Sequence, residues 1–374
     1  MKVLLGTLSL DAERGGGTAQ RTRFLARYLT RAGASCQVIA MENGDLASEL
    51  RNEGIPVYTT GVLRIPYHLP LLNIAALDRL VQGADVLHLL GYWNLLSVAL
   101  AWLAHRRGKP YALSAAGEFA GIHSRSRVKH AFHALFGSRM IAGASAIITI
   151  TPRERAQVIE WFGFPQQSVI VLPNGVEPLA SNLTSDRRLP EAPFVLFMGR
   201  LAPIKGPDLL IEAFAAIAQR HKDVTLVVAG PDWGLLDDLQ KRCAALGLEE
   251  RIAFTGYLDE PARCEAYQRS LLLVVPSREE AMSLVALEAG VLGRPVLLTD
   301  RCGFDQVAAI GGGLVVPATV EGLRDGLDTL LSKRAALGEM GAKLQTYVRW
   351  HYSWAALARQ LLASLREMTT RPSP

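Results

Sequence analysis

Two basic residues, Arg200 and Lys205, stand close together in the segment GRLAPIKG at 199–206. The segment follows a short apolar run and opens a helical pattern. It is therefore predicted to lie at the carboxyl end of a strand, where parallel α/β sheets bind ligands. Two fixed cations at such a position suit a pyrophosphate, because each charged hydrogen bond contributes about 1.5–3 kcal/mol. Taken alone, the segment is also consistent with a surface turn that carries two solvated cations.

Two carboxylates, Glu280 and Glu288, are separated by seven residues in the segment VPSREEAMSLVALEA at 275–289. A helix is predicted over 280–292, with Glu280 at the strand-to-helix turn and Glu288 about two turns along on nearly the same face. Free N–H groups of the first helical turn form an anion site between them. One carboxylate can then contact sugar hydroxyls while the other contacts a ribose. The helix dipole alone also explains Glu280, but Glu288 lies in an apolar run and needs a polar partner.

A third segment, FTGYL at 254–258, predicts a strand that ends at Gly256 before an apolar turn containing Tyr257. Glycine at a strand end lets the backbone approach a flat ring closely, although such strand ends are common. All three segments lie in the second half of the chain, and we expect them to converge on one ligand.

Short apolar runs alternate with helical patterns twice along the chain, which predicts an α/β fold with two Rossmann-like, doubly wound parallel sheets. The length of 374 residues fits two domains. Strands are predicted at 2–5, 37–41, 85–89, 110–114, 146–149, 194–198, 224–229, 252–255, 271–275 and 295–298. Other helices are predicted at 18–31, 207–220, 235–245 and 353–369. The turn-rich stretch 178–193 is predicted to link the two halves.

The composition, with 49% hydrophobic and 20% charged residues, is that of a soluble globular protein. The N-terminus does not resemble a signal peptide, and the apolar stretch 89–104 is too short to span a bilayer comfortably. The four widely spaced cysteines lack a Cys-x-x-Cys pair, so we expect reduced thiols and no zinc site. These features predict a cytoplasmic protein.

The net charge of +5 is concentrated in the first half of the chain. Between His105 and Met140 there are seven basic residues and one acid, Glu118. Such a patch suits an anionic lipid surface or a nucleic acid. A solvated helix face explains the same residues equally well.

Taken together, the three segments resemble the family-4 retaining glycosyltransferases of the GT-B fold, also called group 1 glycosyltransferases. The family pattern is a Gly-Arg-Leu…Lys-Gly loop, a strand ending in Thr-Gly, and a Pro-Ser-x-x-Glu-x7-Glu-Ala stretch. All three occur here in that order. In the first half, Gly16 and Gly17 resemble the Gly-Gly loop of the family.

The resemblance implies an acceptor-binding domain at 1–180, a nucleotide-sugar-binding domain at 190–351, a cleft between them, and a helix at 352–374 that crosses back to the first domain. It implies that Arg200 and Lys205 bind the donor diphosphate, that Glu288 binds ribose, and that Glu280 contacts the transferred sugar as the catalytic residue. Other residues that the resemblance places around donor and acceptor are Gly16, Gly17, Gly256, Tyr257, Met282, Ser283, Leu284 and Val285.

The resemblance also implies a retaining, metal-independent transfer of a hexose or deoxyhexose, with the leaving phosphate as base and no cofactor besides the nucleotide diphosphate sugar. The implied acceptor is a glycan or lipid-linked saccharide in cell-surface polysaccharide, lipopolysaccharide or glycolipid biosynthesis. The protein is further expected to contact an anionic membrane surface, as a peripheral protein on the inner face of the membrane. No nucleic acid partner is expected.

One position departs from the family pattern. Many members have His-Gly after the fourth strand of the first domain, where the histidine contacts the donor sugar near its C6 hydroxyl. Here Ala116 and Gly117 occupy that place. Loss of the hydrogen bond from histidine to the C6 hydroxyl predicts a 6-deoxy sugar donor. Alternatively, His123, Glu118 or water binds the C6 hydroxyl of an ordinary hexose.

Three other functions fit parts of the sequence. A nicotinamide-dependent dehydrogenase needs a third glycine after Gly15 and Gly17, but position 20 is glutamine. A sugar-nucleotide epimerase shares the two-domain fold but does not use a sugar acceptor. A non-catalytic scaffold would explain Ala116, although it does not need the donor-side residues.

Overall fold

The structure is a computed structural model that describes residues 1–12, 14–63, 69–177 and 186–370. It divides into two compact units. Unit 1 combines residues 1–174 with the C-terminal segment from Trp354 onward, and unit 2 contains residues 175–353.

Unit 1 is built on a seven-stranded parallel sheet with the strand order β3-β2-β1-β6-β7-β8-β9. Its strands are β1 (Lys2–Ser9), β2 (Ser35–Glu42), β3 (Val57–Thr59), β6 (Val86–Leu90), β7 (Tyr111–Ser114), β8 (Ala146–Thr149) and β9 (Val169–Val171). A separate antiparallel pair is formed by β4 (Val62–Leu63) and β5 (Leu69–Pro70). The helices are α1 (Gly16–Arg31), α2 (Asp45–Asn52), α3 (Ile74–Gly83), α4 (Leu95–Arg106), α5 (Arg127–Phe132), α6 (Ser138–Ala142), α7 (Pro152–Phe162) and α15 (Trp354–Thr370).

The C-terminal helix α15 packs on α1 within unit 1. The rings of Phe24 and Trp354 stack with centroids 5.2 Å apart. Leu357, Leu361 and Leu365 of α15 follow at helical spacing and are buried in the same core. The last helix therefore covers one face of the first sheet.

Several buried polar groups lie under α1. Arg21 donates to the carbonyl oxygens of Leu172 and Pro173 at 2.7 and 2.9 Å. Both ring nitrogens of His88, on β6, are buried without a hydrogen-bond partner among the described residues. Burial, followed by the nearby Arg21 charge, lowers the pKa of His88 to about 3, so this histidine is neutral in the folded protein at physiological pH.

Unit 2 contains a six-stranded parallel sheet with the order β12-β11-β10-β13-β14-β15. Its strands are β10 (Phe194–Met198), β11 (Thr225–Ala229), β12 (Ile252–Gly256), β13 (Leu272–Val275), β14 (Val296–Thr299) and β15 (Gly313–Val316). The helices are α8 (Pro207–Ile217), α9 (Leu236–Ala245), α10 (Glu260–Arg269), α11 (Leu284–Val291), α12 (Gln306–Ala309), α13 (Val320–Ser332) and α14 (Arg334–His351).

The strand order of unit 2 reverses between β10 and β13. The chain moves outward from β10 to β12 and then returns to the other side of β10. At such a switch point the loops after the two strands diverge and leave a crevice. Gly206, with φ of +65°, lets these loops approach, because a Cβ there would lie 2.2 Å from the carbonyl oxygen of Pro276.

The structure changes one sequence prediction and describes only part of another. The helix predicted over 280–292 is wrong in its start, since α11 begins at Leu284 and Glu280 lies in the preceding loop. Of the linker predicted at 178–193, residues 178–185 lie outside the described residues. The rest is held to unit 2, where the backbone N–H of Asp186 donates to Glu265 Oε2 at 3.1 Å.

All four cysteines are buried and unpaired, in keeping with the expectation of free thiols. Among the residues that the structure describes, no helix combines the length and the apolar character needed to cross a membrane. The apolar stretch at 89–104 instead forms the end of β6, a loop and most of α4.

Candidate functional site

A compact cluster joins the two loops at the switch point of unit 2. Lys205 Nζ donates to Glu280 Oε1 at 2.6 Å, and Ser277 Oγ donates to the same oxygen at 2.7 Å. The Glu280 side chain is 9% exposed and that of Lys205 is 24% exposed. Glu280 is held in place by its backbone as well, because its N–H donates to the carbonyl of Arg301 at 2.9 Å. The other N–H groups of the Lys205 ammonium and the second carboxylate oxygen of Glu280, Oε2, take no part in these two hydrogen bonds and can meet a ligand.

Arg200, the second predicted cation, lies on an aromatic platform. Its guanidinium carbon is 4.4 Å from the ring centroid of Trp233, a side chain that is 51% exposed. The two loops that carry these residues are hydrogen-bonded, since Leu201 donates to the carbonyl of Pro231 at 2.9 Å. A cation–π contact of this kind restricts the rotamers of Arg200 and leaves its N–H edge free to bind an anion.

The N-terminus of α11 lies four residues after Glu280. Ser283 occupies the capping position, but its side chain makes no cap hydrogen bond. Its Oγ atom is buried and has no partner among the described residues. The first-turn N–H groups, from Leu284 and Val285 onward, are therefore left uncapped. An oxyanion at this point would meet both the helix dipole and a spare hydroxyl.

Glu288 has the polar partners that its apolar surroundings require. Tyr267 Oη donates to Glu288 Oε2 at 2.8 Å, and Arg263 Nε lies 3.7 Å from the same oxygen. Burial, and secondarily the Glu288 charge, raises the pKa of Tyr267 well above 10, so the phenol remains a donor. Glu288 is thus oriented by a fixed hydroxyl and a cation, with 20% of its side chain exposed.

Gly256 and Tyr257 form the exposed end of β12. Gly256 has φ of +67°, and Tyr257 is 66% exposed. Arg188 donates to the carbonyl oxygens of Thr255 and Tyr257 at 3.2 and 2.9 Å. This arginine, which the sequence analysis did not single out, fixes the strand end and leaves the Tyr257 ring open to a flat partner.

In unit 1, Gly16 and Gly17 form the first turn of α1. Gly16 has φ of +53°, and a Cβ there would have no heavy atom within 4 Å. Conformation rather than crowding therefore favours glycine at this position. Because α1 has no side-chain cap and no acidic residue in its first turn, its leading N–H groups are also uncapped.

Ala116 and Gly117 lie in a strained turn after β7. Ala116 has φ of +50°, a left-handed conformation that residues other than glycine seldom adopt. The Gly117 N–H donates to Glu154 Oε1 at 2.8 Å. Glu118 and His123 are engaged elsewhere: Glu118 Oε2 accepts the Tyr92 N–H at 2.5 Å, and the His123 ring packs on that of Trp161 with centroids 4.4 Å apart.

No group of three or more His, Cys, Asp or Glu side chains suited to a metal ion occurs in the described part of the chain. The polar groups assembled at the switch point of unit 2 are instead an ammonium, a guanidinium, a free hydroxyl and helix N–H groups. Together they can bind a polyanion, while Glu280 and Glu288 can bind hydroxyls.

Comparisons with known proteins agree with this chemistry. Residues 16–175 match the family described as "Glycosyl transferase 4-like domain", and residues 184–349 match "Glycosyl transferases group 1". The D-inositol 3-phosphate glycosyltransferase of Frankia alni is 30% identical over 318 residues, which cover 75% of this chain and 74% of that protein. The protein of the same name from Nocardia farcinica is 29% identical over 294 residues; the match spans 73% of this chain and 64% of that relative.

Among solved structures, Anabaena HepE in complex with UDP superimposes with a TM-score of 0.78 and 20% sequence identity. The match covers 98% of this chain and 100% of the HepE chain. HepE has also been solved with UDP-glucose. At this level of identity the likeness shows a shared fold.

Proposed function

Because the chain belongs to the group 1 glycosyltransferases of the GT-B fold, we propose that it transfers a sugar from a nucleotide diphosphate sugar to a hydroxyl acceptor. The observation that supports this most strongly is the cluster of Lys205, Ser277 and Glu280. Glu280 lies four residues before the uncapped start of α11. It combines a cation for phosphate with a carboxylate for sugar hydroxyls.

In the proposed arrangement the donor diphosphate lies against Arg200, Lys205 and the first turn of α11. Glu288 accepts hydrogen bonds from the ribose, and the backbone at 256–257 contacts the base. Glu280 Oε2 contacts the transferred sugar. Transfer proceeds with retention at the anomeric carbon, the leaving phosphate taking the proton from the acceptor hydroxyl. Two cations and a helix N-terminus, less the Glu280 carboxylate paired with Lys205, leave a net positive charge for the diphosphate, and the proposed reaction needs no metal.

The proposed acceptor is a glycan or lipid-linked saccharide of cell-surface polysaccharide, lipopolysaccharide or glycolipid biosynthesis, bound by unit 1. We place the protein in the cytoplasm, with peripheral contact to the inner face of the membrane. The seven basic residues between His105 and Met140 support that contact, since each adds attraction to an anionic leaflet.

The donor site is tested by Arg200→Ala and Lys205→Ala. Each change should lower kcat/KM by roughly 10- to 150-fold, because each removes a charged hydrogen bond contributing about 1.5–3 kcal/mol. UDP-glucose is the first donor to assay, alongside GDP-, ADP- and dTDP-sugars. Lys241→Ala on α9, where the side chain is 79% exposed, is the matched control.

A thermal-shift measurement separates binding from turnover. A donor at about 100 times its dissociation constant should stabilise the wild-type protein by about 2.7 kcal/mol, and neither site variant should reach that value at the same concentration. Kinetics like those of the wild type in both variants would refute the placement of the diphosphate. Donor binding without transfer to any hydroxyl acceptor would favour a non-catalytic scaffold.

A further inference from the structure

An apolar cavity of about 790 Å³ opens on unit 1, and its lining residues all belong to this unit. Helix α4 forms one wall and the segment around α6 forms the other. The wall residues include Val98, Trp102, Leu135, Phe136 and Met140. The volume lies within the range of about 300–1,000 Å³ that is usual for small-molecule sites.

Helix α4 is apolar on two opposite faces. Leu96, Leu100 and Leu103 are buried against the sheet. Leu95, Val98 and Trp102 follow at spacings of three and four residues and line the cavity. A helix that is apolar all round is normally covered on both sides. Here the second face lines the cavity, and none of the residues that the structure describes covers it.

The rim of the cavity exposes large apolar side chains. Trp102 is 47% exposed, Leu135 is 57% exposed and Phe136 is 39% exposed. Contiguous exposed apolar groups of this size mark an interaction site on a soluble protein. Inside the cavity, the Tyr111 hydroxyl donates its hydrogen bond to the carbonyl of Met140 at 2.7 Å and so does not offer a donor to a ligand. The interior is therefore suited to hydrocarbon rather than to a peptide, whose backbone needs hydrogen-bond partners.

The ionisable side chains that line the cavity, apart from Tyr111, are all of basic residues. His105, Lys109 and Arg139 line it, and none of its described lining residues is Asp or Glu. Arg106 lies beside the rim with its guanidinium carbon 4.9 Å from the Trp102 ring centroid. Arg107, by contrast, is ion-paired with Asp78. An apolar interior with cations at its mouth is complementary to a molecule with a hydrocarbon tail and an anionic head.

We propose that this cavity binds one hydrocarbon chain of an anionic phospholipid, whose phosphate lies against Lys109 and Arg139. The site adds a specific chain-binding pocket to the surface contact proposed above, and it does not depend on the transfer reaction. A second copy of this chain fits less well, because self-association would bring two sets of rim cations together without intervening acids.

Quenching of tryptophan fluorescence in the 374-residue protein tests whether a lipid acyl chain enters the cavity. The probe is a vesicle of phosphatidylcholine and phosphatidylglycerol in which the phosphatidylglycerol acyl chains are brominated midway along their length. Bromine quenches only nearby indoles, so part of the wild-type emission should be lost. Trp102→Phe should remove that part of the quenching. Trp350→Phe, which alters a 77% exposed tryptophan in unit 2, should leave it unchanged.

Three further variants separate binding of the hydrocarbon chain from binding of the headgroup. Val98→Phe narrows the cavity and should reduce the quenching of Trp102, while cosedimentation with anionic vesicles changes little. Replacing Lys109 and Arg139 by alanine should weaken vesicle affinity by about fivefold per charge, corresponding to about 1 kcal/mol each. Leu135→Glu alters an exposed rim residue, so the variant should fold, and it should also lose the quenching.

Vesicle binding without any quenching of Trp102 by brominated chains would overturn the proposal and leave only surface attraction. Sedimentation analysis gives a second decisive result. If the protein forms a dimer that Leu135→Glu dissociates, the cavity is covered by a second copy rather than by lipid.

Discussion

Ala116 has a left-handed backbone and lies at the position that the family resemblance assigns to the sugar pocket. Histidine is among the residues enriched in this conformation, whereas alanine gains nothing from it. A residue held in a costly backbone conformation is typical of a functional turn. The Glu118 carboxylate accepts the Tyr92 N–H, and the His123 ring packs on that of Trp161.

We therefore predict that the donor is a 6-deoxy sugar nucleotide. A buried C6 hydroxyl without a partner costs about 1–3 kcal/mol, whereas a methyl group has no such need. Matched donors such as GDP-mannose and GDP-rhamnose, which differ at C6, should differ in kcat/KM in favour of the 6-deoxy member. Ala116→His should raise activity on the 6-hydroxy member. Ala116→Gly relieves the backbone strain without adding an imidazole, so it should not raise activity on the 6-hydroxy member. Preference for the 6-hydroxy sugar in every pair would rule the idea out.

Individual site residues were predictable where their chemistry is local in sequence. The loop containing Lys205 and the carboxylate Glu280 were identified from residue type and spacing, and the structure joins them directly. Trp233 was missed, because its contact with Arg200 links two loops that are distant in sequence. The free hydroxyl of Ser283 was equally invisible, since only the folded loop shows that this serine does not cap its own helix.

At the scale of elements, all ten predicted strands occur, whereas the edge strands β3, β9 and β15 were not predicted. Runs such as 194–198 match β10 residue for residue, because buried parallel strands are continuously apolar. The start of α11 was placed too early at Glu280. Glu280, which would favour a first helical turn, is instead held in the loop. Its carboxylate pairs with Lys205, and its backbone N–H donates to the carbonyl of Arg301. Tertiary contacts thus outweighed local helix preference.

Strand β6 carries a histidine that should make unit 1 sensitive to acid. The unfolded chain takes up a proton at His88 below about pH 6.5, whereas the folded protein does so only near pH 3. The unfolded state binds more protons between these values, so stability falls as the pH is lowered through this range. At pH 5 the loss should reach about 2 kcal/mol relative to pH 7.

His88→Leu should remove this dependence, and urea unfolding measured between pH 7 and pH 5 is the test. Leucine also avoids two buried nitrogens that lack partners among the described residues, so the variant should be at least as stable as the wild type at pH 5. His130→Leu, at an exposed position on α5, is the matched control. The same pH slope in His88→Leu as in the wild type would show that other groups cause the acid sensitivity.

For the whole molecule, the sequence predicted two Rossmann-like sheets because the alternation of apolar runs and helical patterns occurs twice. The return of the C-terminal helix to unit 1 is not visible in such a pattern and came only from the family resemblance. In the structure α15 fills the face of the first sheet beside α1, which explains the apolar stripe along its length. Strand order, and hence the switch point, likewise needed the three-dimensional fold.

Charge is distributed over the molecule in a way that bears on metal dependence. Residues 186–374 carry a slight excess of acid, so the donor half has no general attraction for a polyanion. In the proposed site, binding comes from local groups, namely Arg200, Lys205 and the first turn of α11, whose dipole adds roughly half a positive charge. With the Glu280 carboxylate offsetting one of these charges, the proposed site keeps a net positive charge of roughly 1.5 to stabilise a departing nucleoside diphosphate, the task that a divalent ion performs in metal-dependent transferases.

We therefore predict that kcat and KM stay within about twofold of their normal values in excess EDTA, since no bound ion contributes to charge balance. Initial rates should be measured with and without chelator, at equal ionic strength, because salt screens the same cations. Adding magnesium or manganese should bring no gain beyond a matched sodium chloride control. Loss of turnover in EDTA with recovery on adding manganese would mean that a metal ion, rather than Arg200, Lys205 and the start of α11, neutralises the leaving group.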